Sequence, residues 1–233
     1  NDNALGSGLA LYAADALKLK RVAVIDDRTA YGQGVAEVFK KAAASKGITI
    51  VDEQFTTDKA TDFTAILTQI KSKKPDIVFY GGMDAVAGPM LRQMKQLGIK
   101  AKFMGGDGIC TEALATLAGD AMADGQVVCA EAGGVEENMK AGMEKFRADY
   151  KKKFGVDVQI YAPYVYDAVM TMVDAMVQAK SAEPAKYLPV LAKIHHNGVT
   201  GKIEFDPKGD IKDGTLTLYT YKAGKRVQLA VTK

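Results

Sequence analysis

Along the first 132 positions, apolar residues fall into short dense runs, separated by longer stretches in which they recur every three or four residues. Dense runs bounded by turn residues read as buried strands, and the 3.6-residue recurrence reads as amphipathic helix. Residues 4–18 are predicted as a first helix, with Asn1-Asp2-Asn3 supplying N-cap chemistry. Lys20 to Asp27 is a strand apolar nearly throughout, the pattern of a strand covered on both faces. A helix runs from there through Ala44 and ends at Gly47. The runs "ITIVDEQF" (48–55), "DIVFYGG" (76–82), "KAKFMGGDG" (100–108) and "QVVCAEA" (126–132) continue the strand series. Between them, Phe63, Ile66, Leu67 and Ile70 keep helical spacing, as do Met90, Leu91, Met94 and Leu97, and "TEALATLAG" (111–119) makes a short helix. This alternation predicts an α/β fold, a doubly wound parallel sheet with helices on both faces.

After Ala132-Gly133-Gly134 the rhythm changes. Residues 136–154 form a polar, charged helix, and 161–180, "YAPYVYDAVMTMVDAMVQAK", form another that is apolar on nearly all sides. Such a helix requires burial on more than one face. A further short helix leads to one candidate strand, "GKIEFD" (201–206), and the polar turn "PKGDIKDG". Two last runs, "TLTLYTY" and "RVQLAV", joined by "KAGK", make a hairpin. The second region therefore reads as part of a domain.

Composition narrows the function classes. The chain has 233 residues, 48% hydrophobic and 25% charged, with 31 basic and 28 acidic side chains scattered in both signs. That is ordinary globular composition, without the one-faced basic patch of a nucleic-acid binder. Lys151-Lys152-Lys153 is expected to offset a helix carboxyl end. No apolar stretch is long enough to span a bilayer, and no signal peptide opens the chain, as holds for exported proteins once mature. Cys110 and Cys129 are the only cysteines. They are either two small buried residues or one disulfide of an exported protein, and they are too far from His195-His196 in sequence to suggest a metal site. Both fall at or near the carboxyl ends of the fourth and fifth strands; if those strands are neighbours, the pair is expected to be joined. The histidines precede the turn signal Asn197-Gly198, so a helix-end role is expected.

Ligands of open parallel sheets bind beyond the carboxyl ends of the strands. Three loops qualify: "DDRTAYGQG", "YGGMDAVAG" and "GGDGIC". Together they offer Tyr31, Gly81, Gly82, Met83, Asp84 and Asp107. An aromatic ring, a thioether and carboxylates, with no histidine or cysteine nucleophile, suit holding a small cationic or zwitterionic group better than breaking a bond. Enzyme-like motifs fail on inspection. "GSG" at 6–8 follows no strand and lacks the third glycine of a dinucleotide loop, and no GxxxxGK[ST] phosphate loop occurs. Asp26-Asp27 is similar to the acidic pair of a phospho-acceptor domain, but Tyr80-Gly81-Gly82 stands where such a domain carries its acceptor aspartate. Capping a loop, or pairing with Arg28, is the expected role of that pair.

Several segments together carry a resemblance: "ALKLKRVAVIDDRTAYGQGVAEVFKKAA", "PDIVFYGGMDAVAGPMLRQMKQLG", "FMGGDGICTEALATLAGD" and "GKIEFDPKGDIKDGTLTLYTYKAG". They resemble the branched-chain amino-acid (Leu/Ile/Val) binding proteins of ABC transporters, which are type I periplasmic solute-binding proteins. The resemblance implies two α/β lobes joined by three crossovers and closing on a ligand between them. It implies that residues 1–131 and 214–233 form the second lobe and 132–213 the remainder of the first. Roughly a hundred residues that build most of the first lobe in the family, and its carboxylate-gripping serine and threonine region, would then lie outside this sequence. Tyr31 matches the tyrosine that closes over the ligand, Asp107 the acidic residue receiving its ammonium, and Tyr161 an aromatic lining the side-chain pocket. Gly82 and Met83 fall beside them, Met83 at a position that is aromatic in some relatives.

The function so implied is non-enzymatic and cofactor-free: capture of an amino acid in the periplasm for an ABC transporter membrane permease. A ligand-sensing domain of a receptor or regulator with the same fold is the alternative. With half a lobe absent, the uncovered helix 161–180 is expected to drive a homodimer, by exchange of the 132–213 segment through Gly133-Gly134.

Overall fold

The computed structural model describes residues 1–133, 140–212 and 214–232. They divide into two compact units, Asn1–Ala132 with Leu216–Thr232, and Gly133–Thr215. The first unit is built on a seven-stranded sheet. Its strands are β1 (Arg21–Asp26), β2 (Thr49–Phe55), β3 (Ile77–Gly81), β4 (Lys102–Gly105) and β5 (Val127–Ala132), with β8 (Leu216–Lys222) and β9 (Lys225–Thr232) added from the end of the chain. The spatial order is β2-β1-β3-β4-β5-β8-β9. The first five strands are parallel, and β8 joins β5 antiparallel, followed by β9 as an antiparallel hairpin partner. β3 is buried at every position and β2, at the edge, is half-exposed along its length.

Alternation assigns each strand's side chains to two faces. Val22 and Val24 of β1, Ile77 and Phe79 of β3 and Met104 of β4 meet α1 (Asp2–Leu11) and α2 (Ala30–Ser45) in one core, through Leu5, Leu9, Val35 and Phe39. The rings of Phe39 and Phe79 stack there at 3.9 Å. The intervening residues Ala23, Ile25, Val78 and Tyr80 turn to the opposite face and are also buried. The remaining helices of this unit are α3 (Thr64–Ser72), α4 (Asp84–Gln96) and α5 (Glu112–Ala118), which bury Leu67, Ile70, Met90, Leu91, Met94 and Leu114.

The first helix departs from the expected regular run over 4–18. Asn1 caps it, its side chain accepting from the Ala4 N–H at 3.1 Å, and after Leu11 the chain widens into a π turn, Tyr12–Ala16. Leu17 N–H then reaches back five residues to the Tyr12 carbonyl at 3.0 Å. Apolar spacing cannot separate the two, because a single wider turn shifts the pattern by only one residue. Cys110 and Cys129 form a disulfide with Cα atoms 5.3 Å apart, joining the segment after β4 to β5.

The second unit contains α6 (Lys140–Phe154), α7 (Ala162–Ala179), α8 (Pro184–Leu191) and a two-stranded ribbon, β6 (His196–Asn197) with β7 (Lys202–Ile203). The expected start of a helix at 136 lies outside the described residues. Lys151, Lys152 and Lys153 occupy the last turn of α6. Two strands replace the single one expected, since Asn197-Gly198 begins the turn of a hairpin and does not close a helix. The histidines accordingly serve the ribbon: His196 Nδ1 is 3.1 Å from Asp174 Oδ2 on α7, and His195 Nδ1 is 2.8 Å from Glu204 Oε1.

Candidate functional site

The sheet order places β1 beside both β2 and β3, so the connections leaving β1 and β3 run to opposite sides. A crevice opens where such a reversal occurs, at the carboxyl ends of the strands. At that point α2 packs closely on β3: a Cβ on Gly32 would lie 2.5 Å from the Gly81 carbonyl oxygen. The loop between β1 and α2 is braced internally. Asp26 Oδ1 accepts from the Arg28 N–H at 3.0 Å, and Asp27 Oδ1 accepts from the Thr29 N–H at 3.0 Å and the Thr29 hydroxyl at 2.6 Å. Thr29 in turn caps α2, accepting from the Gly32 N–H at 2.9 Å. Both aspartates are engaged in shaping the loop, and Arg28 adopts a left-handed φ of 62° within it. A non-glycine residue in that region signals a backbone held by its surroundings.

The brace sets Tyr31 on the first turn of α2. Its hydroxyl donates to Asp107 Oδ1 at 2.9 Å and accepts from the Gly108 N–H at 3.1 Å. Asp107 begins a 3-10 turn, Asp107–Ile109, directly after β4. The third loop closes in from β3. A Cβ placed on Gly108 would lie 2.5 Å from the Gly82 carbonyl oxygen, 2.9 Å from Met83 Sδ and 3.1 Å from Tyr31 Cε1. One atom position thus touches all three strand-end loops. Tyr31 and Asp107 are half-buried, Gly82 is buried, and Met83 remains 46% exposed. The arrangement is an acidic oxygen backed by a phenol, beside an accessible thioether and backbone amides.

Four of the sequence candidates, Tyr31, Gly82, Met83 and Asp107, therefore form one cluster. Asp84 turns away to accept from the Thr111 hydroxyl at 2.6 Å. Tyr161 lies in the other unit, at the N-terminal cap of α7, and is 44% exposed. That unit carries a hollow of about 350 Å³, lined by Tyr166, Asp167, Met170, His196 and Val199 among others. Its buried acid is already satisfied, because Asp167 accepts from Val199 N–H, Thr200 N–H and the Thr200 hydroxyl at 2.9, 2.8 and 2.5 Å. The hollow's chemistry fastens the ribbon to α7. The amide of Gly108 and the Thr29 brace escape a reading of side-chain types, although Thr before an apolar periodic run is a helix-start signal. No cluster of metal-ligating side chains occurs among the described residues.

Residues 1–226 match the family described as periplasmic binding protein. The chain belongs to that family. It is 34% identical over 223 residues to an amino acid binding protein of Pseudomonas aeruginosa, covering 94% of this chain and 58% of that one. A Leu/Ile/Val-binding protein homolog of Brucella abortus is 33% identical over 224 residues, covering 96% and 59%. Among solved structures, a leucine binding protein of Thermotoga maritima superposes with a TM-score of 0.86 at 26% identity, covering 99% of this chain and 65% of that one. The α/β architecture is that of the type I periplasmic binding proteins. The chain spans about three fifths of the length of the curated relatives it matches.

Proposed function

We propose that the protein is a non-enzymatic solute-binding component of an ABC importer in the periplasm, and that it captures an amino acid, branched-chain or similar, in a cleft between two lobes. In this reading residues 1–131 and 214–233 are the second lobe, and 132–213 belong to the first. The observation that carries the proposal is the hydrogen-bonded pair of Tyr31 and Asp107 at the sheet's switch point. A carboxylate so placed receives an α-ammonium group, since an ammonium leaving water needs a charge-assisted acceptor. The Tyr31 hydroxyl, holding one carboxylate oxygen, fixes the direction the other presents. Met83 offers a soft, accessible apolar contact suited to an aliphatic side chain. The family resemblance assigns Tyr161, an exposed aromatic residue, to the lining of the ligand's side-chain pocket. The names of the relatives support the ligand class.

The test is calorimetric titration of leucine, isoleucine and valine into a protein carrying both lobes. Asp107→Ala is expected to weaken binding by about 2–5 kcal/mol, the cost of leaving a desolvated ammonium unpaired. An unchanged affinity removes Asp107 from the site.

A further inference from the structure

The segment that follows Asp107 is held by side chains from the far end of the chain. Three successive carbonyls, of Ile109, Cys110 and Thr111, are met by the β8–β9 hairpin. The Tyr221 hydroxyl donates to the Thr111 carbonyl at 2.7 Å and lies 3.3 Å from that of Ile109. Arg226 Nη1 is 2.8 Å from the Cys110 carbonyl and 2.8 Å from Glu131 Oε2. The same guanidinium lies 4.3 Å over the Tyr219 ring, with its Nε 3.4 Å from Glu112 Oε1. The disulfide and the Thr111–Asp84 bond hold this stretch from two further directions.

The arrangement exceeds what the hairpin needs for itself, since β8 and β9 are already joined by a ladder from Leu216 to Lys222. The Arg226 and Glu131 side chains are 15% and 12% exposed, so their pairing is largely withdrawn from water. An ion pair at that depth adds little net stability but is costly to break, which makes it a rigid bolt. Burial opposes the Arg226 charge, and Glu131, Tyr219 and Glu112 outweigh it to hold the proton more tightly than usual. A three-residue 3-10 turn has poor hydrogen-bond geometry of its own and depends on such outside support.

We propose that Arg226 and Tyr221 are positioning residues for the ligand-binding turn, holding the backbone at 109–111 so that Asp107 and the Gly108 amide meet the Tyr31 hydroxyl. Their role in binding rests on the reading of Asp107 as the ammonium acceptor; their hold on the turn does not. Hydrogen exchange followed by NMR on the 233-residue chain tests the hold without any ligand. In Arg226→Met, the Gly108 and Cys110 amides should exchange about ten- to a hundredfold faster, the effect of losing a charged hydrogen bond, while those of Val24 and Phe79 keep their rates. The ¹³Cζ resonance of Tyr31 should move in the direction it takes in Asp107→Asn, and Arg226→Lys should restore part of both effects. Unchanged exchange, or a rise shared equally by β1 and β3, overturns the proposal. If Arg226→Met does not fold, Tyr221→Phe read at the same amides decides in the same way. Amino-acid affinity of Arg226→Met in a protein with both lobes separates the two readings. A loosened turn with unaltered affinity supports the hold and removes Asp107 from the ligand, whereas an unmoved turn overturns the hold even where Asp107→Ala abolishes binding.

Discussion

Tyr31 uses its hydroxyl in both directions, and that double use makes the site sensitive to small changes around Gly108. Any side chain there would enter the space shared by Gly82, Met83 and Tyr31. Gly108→Ala is therefore expected to displace the Tyr31–Asp107 contact and to cost about 1–3 kcal/mol of stability, the usual penalty of overpacking, measured by urea unfolding. Two other phenols report the interior. Tyr80 and Tyr221 have pKa values raised well above the ordinary tyrosine value, in each case chiefly by burial; Asp27 adds to the shift at Tyr80. The folded state then keeps these protons where the unfolded chain loses them. Their contribution to stability is complete below about pH 10 and declines as pH rises beyond it. An ultraviolet titration should find Tyr80 and Tyr221 ionising only as the protein unfolds; ionisation of both in the native state would refute the assignment. At this scale the sequence reveals residue types at strand ends but not their partners. Tyr31 and Asp107 are 76 positions apart, and Arg226 carries no motif, so only the folded chain brings either to its place.

The strand-to-helix rhythm was legible because a parallel sheet with both faces covered demands dense apolar runs, which β1 and β3 supply. The added turn at Tyr12–Ala16 and the β6–β7 ribbon were not, being features of one or two residues in hydrogen-bond register. Between these extremes lies the link from the Asp107 turn to β5. β4 and β5 are neighbours, which puts Cys110 within bonding distance of Cys129 across a sequence separation of 19. A cross-link of that span restricts the unfolded chain and is expected to contribute about 3 kcal/mol. Urea unfolding with and without a reductant should show the midpoint falling on reduction, and an unmoved midpoint would mean that the link adds nothing. Labelling of the denatured, unreduced chain should find no reactive thiol.

Among the described residues, α7 presents a long apolar face that still demands burial. Its buried residues Pro163, Asp167, Thr171 and Ala175 recur every four positions and are small or polar. On the opposite side Val165, Val169, Val173 and Val177 recur at the same interval and are 59, 49, 43 and 68% exposed. Tyr166, Met170 and Met172 widen this apolar face. The pattern predicted a helix needing cover on more than one side, and the described residues cover only the small one. Contiguous exposed apolar surface of this kind drives association. In a two-lobe protein the face would be covered by the rest of its lobe; for residues 1–233 taken alone we propose that two copies bury their valine rows against each other. Exchange of the 132–213 segment is one route to that dimer, although Gly134 of its hinge lies outside the described residues. Sedimentation velocity of the chain without ligand should therefore show a dimer at micromolar concentration. Val169→Asp with Val173→Asp should return it to a monomer, because each charge would have to leave water at the interface. Both side chains lie on the exposed side of α7, 49% and 43% exposed, so the variant is expected to keep its helical circular dichroism. A wild-type chain that stays monomeric over a wide concentration range would refute the dimer and leave the valine row exposed in solution.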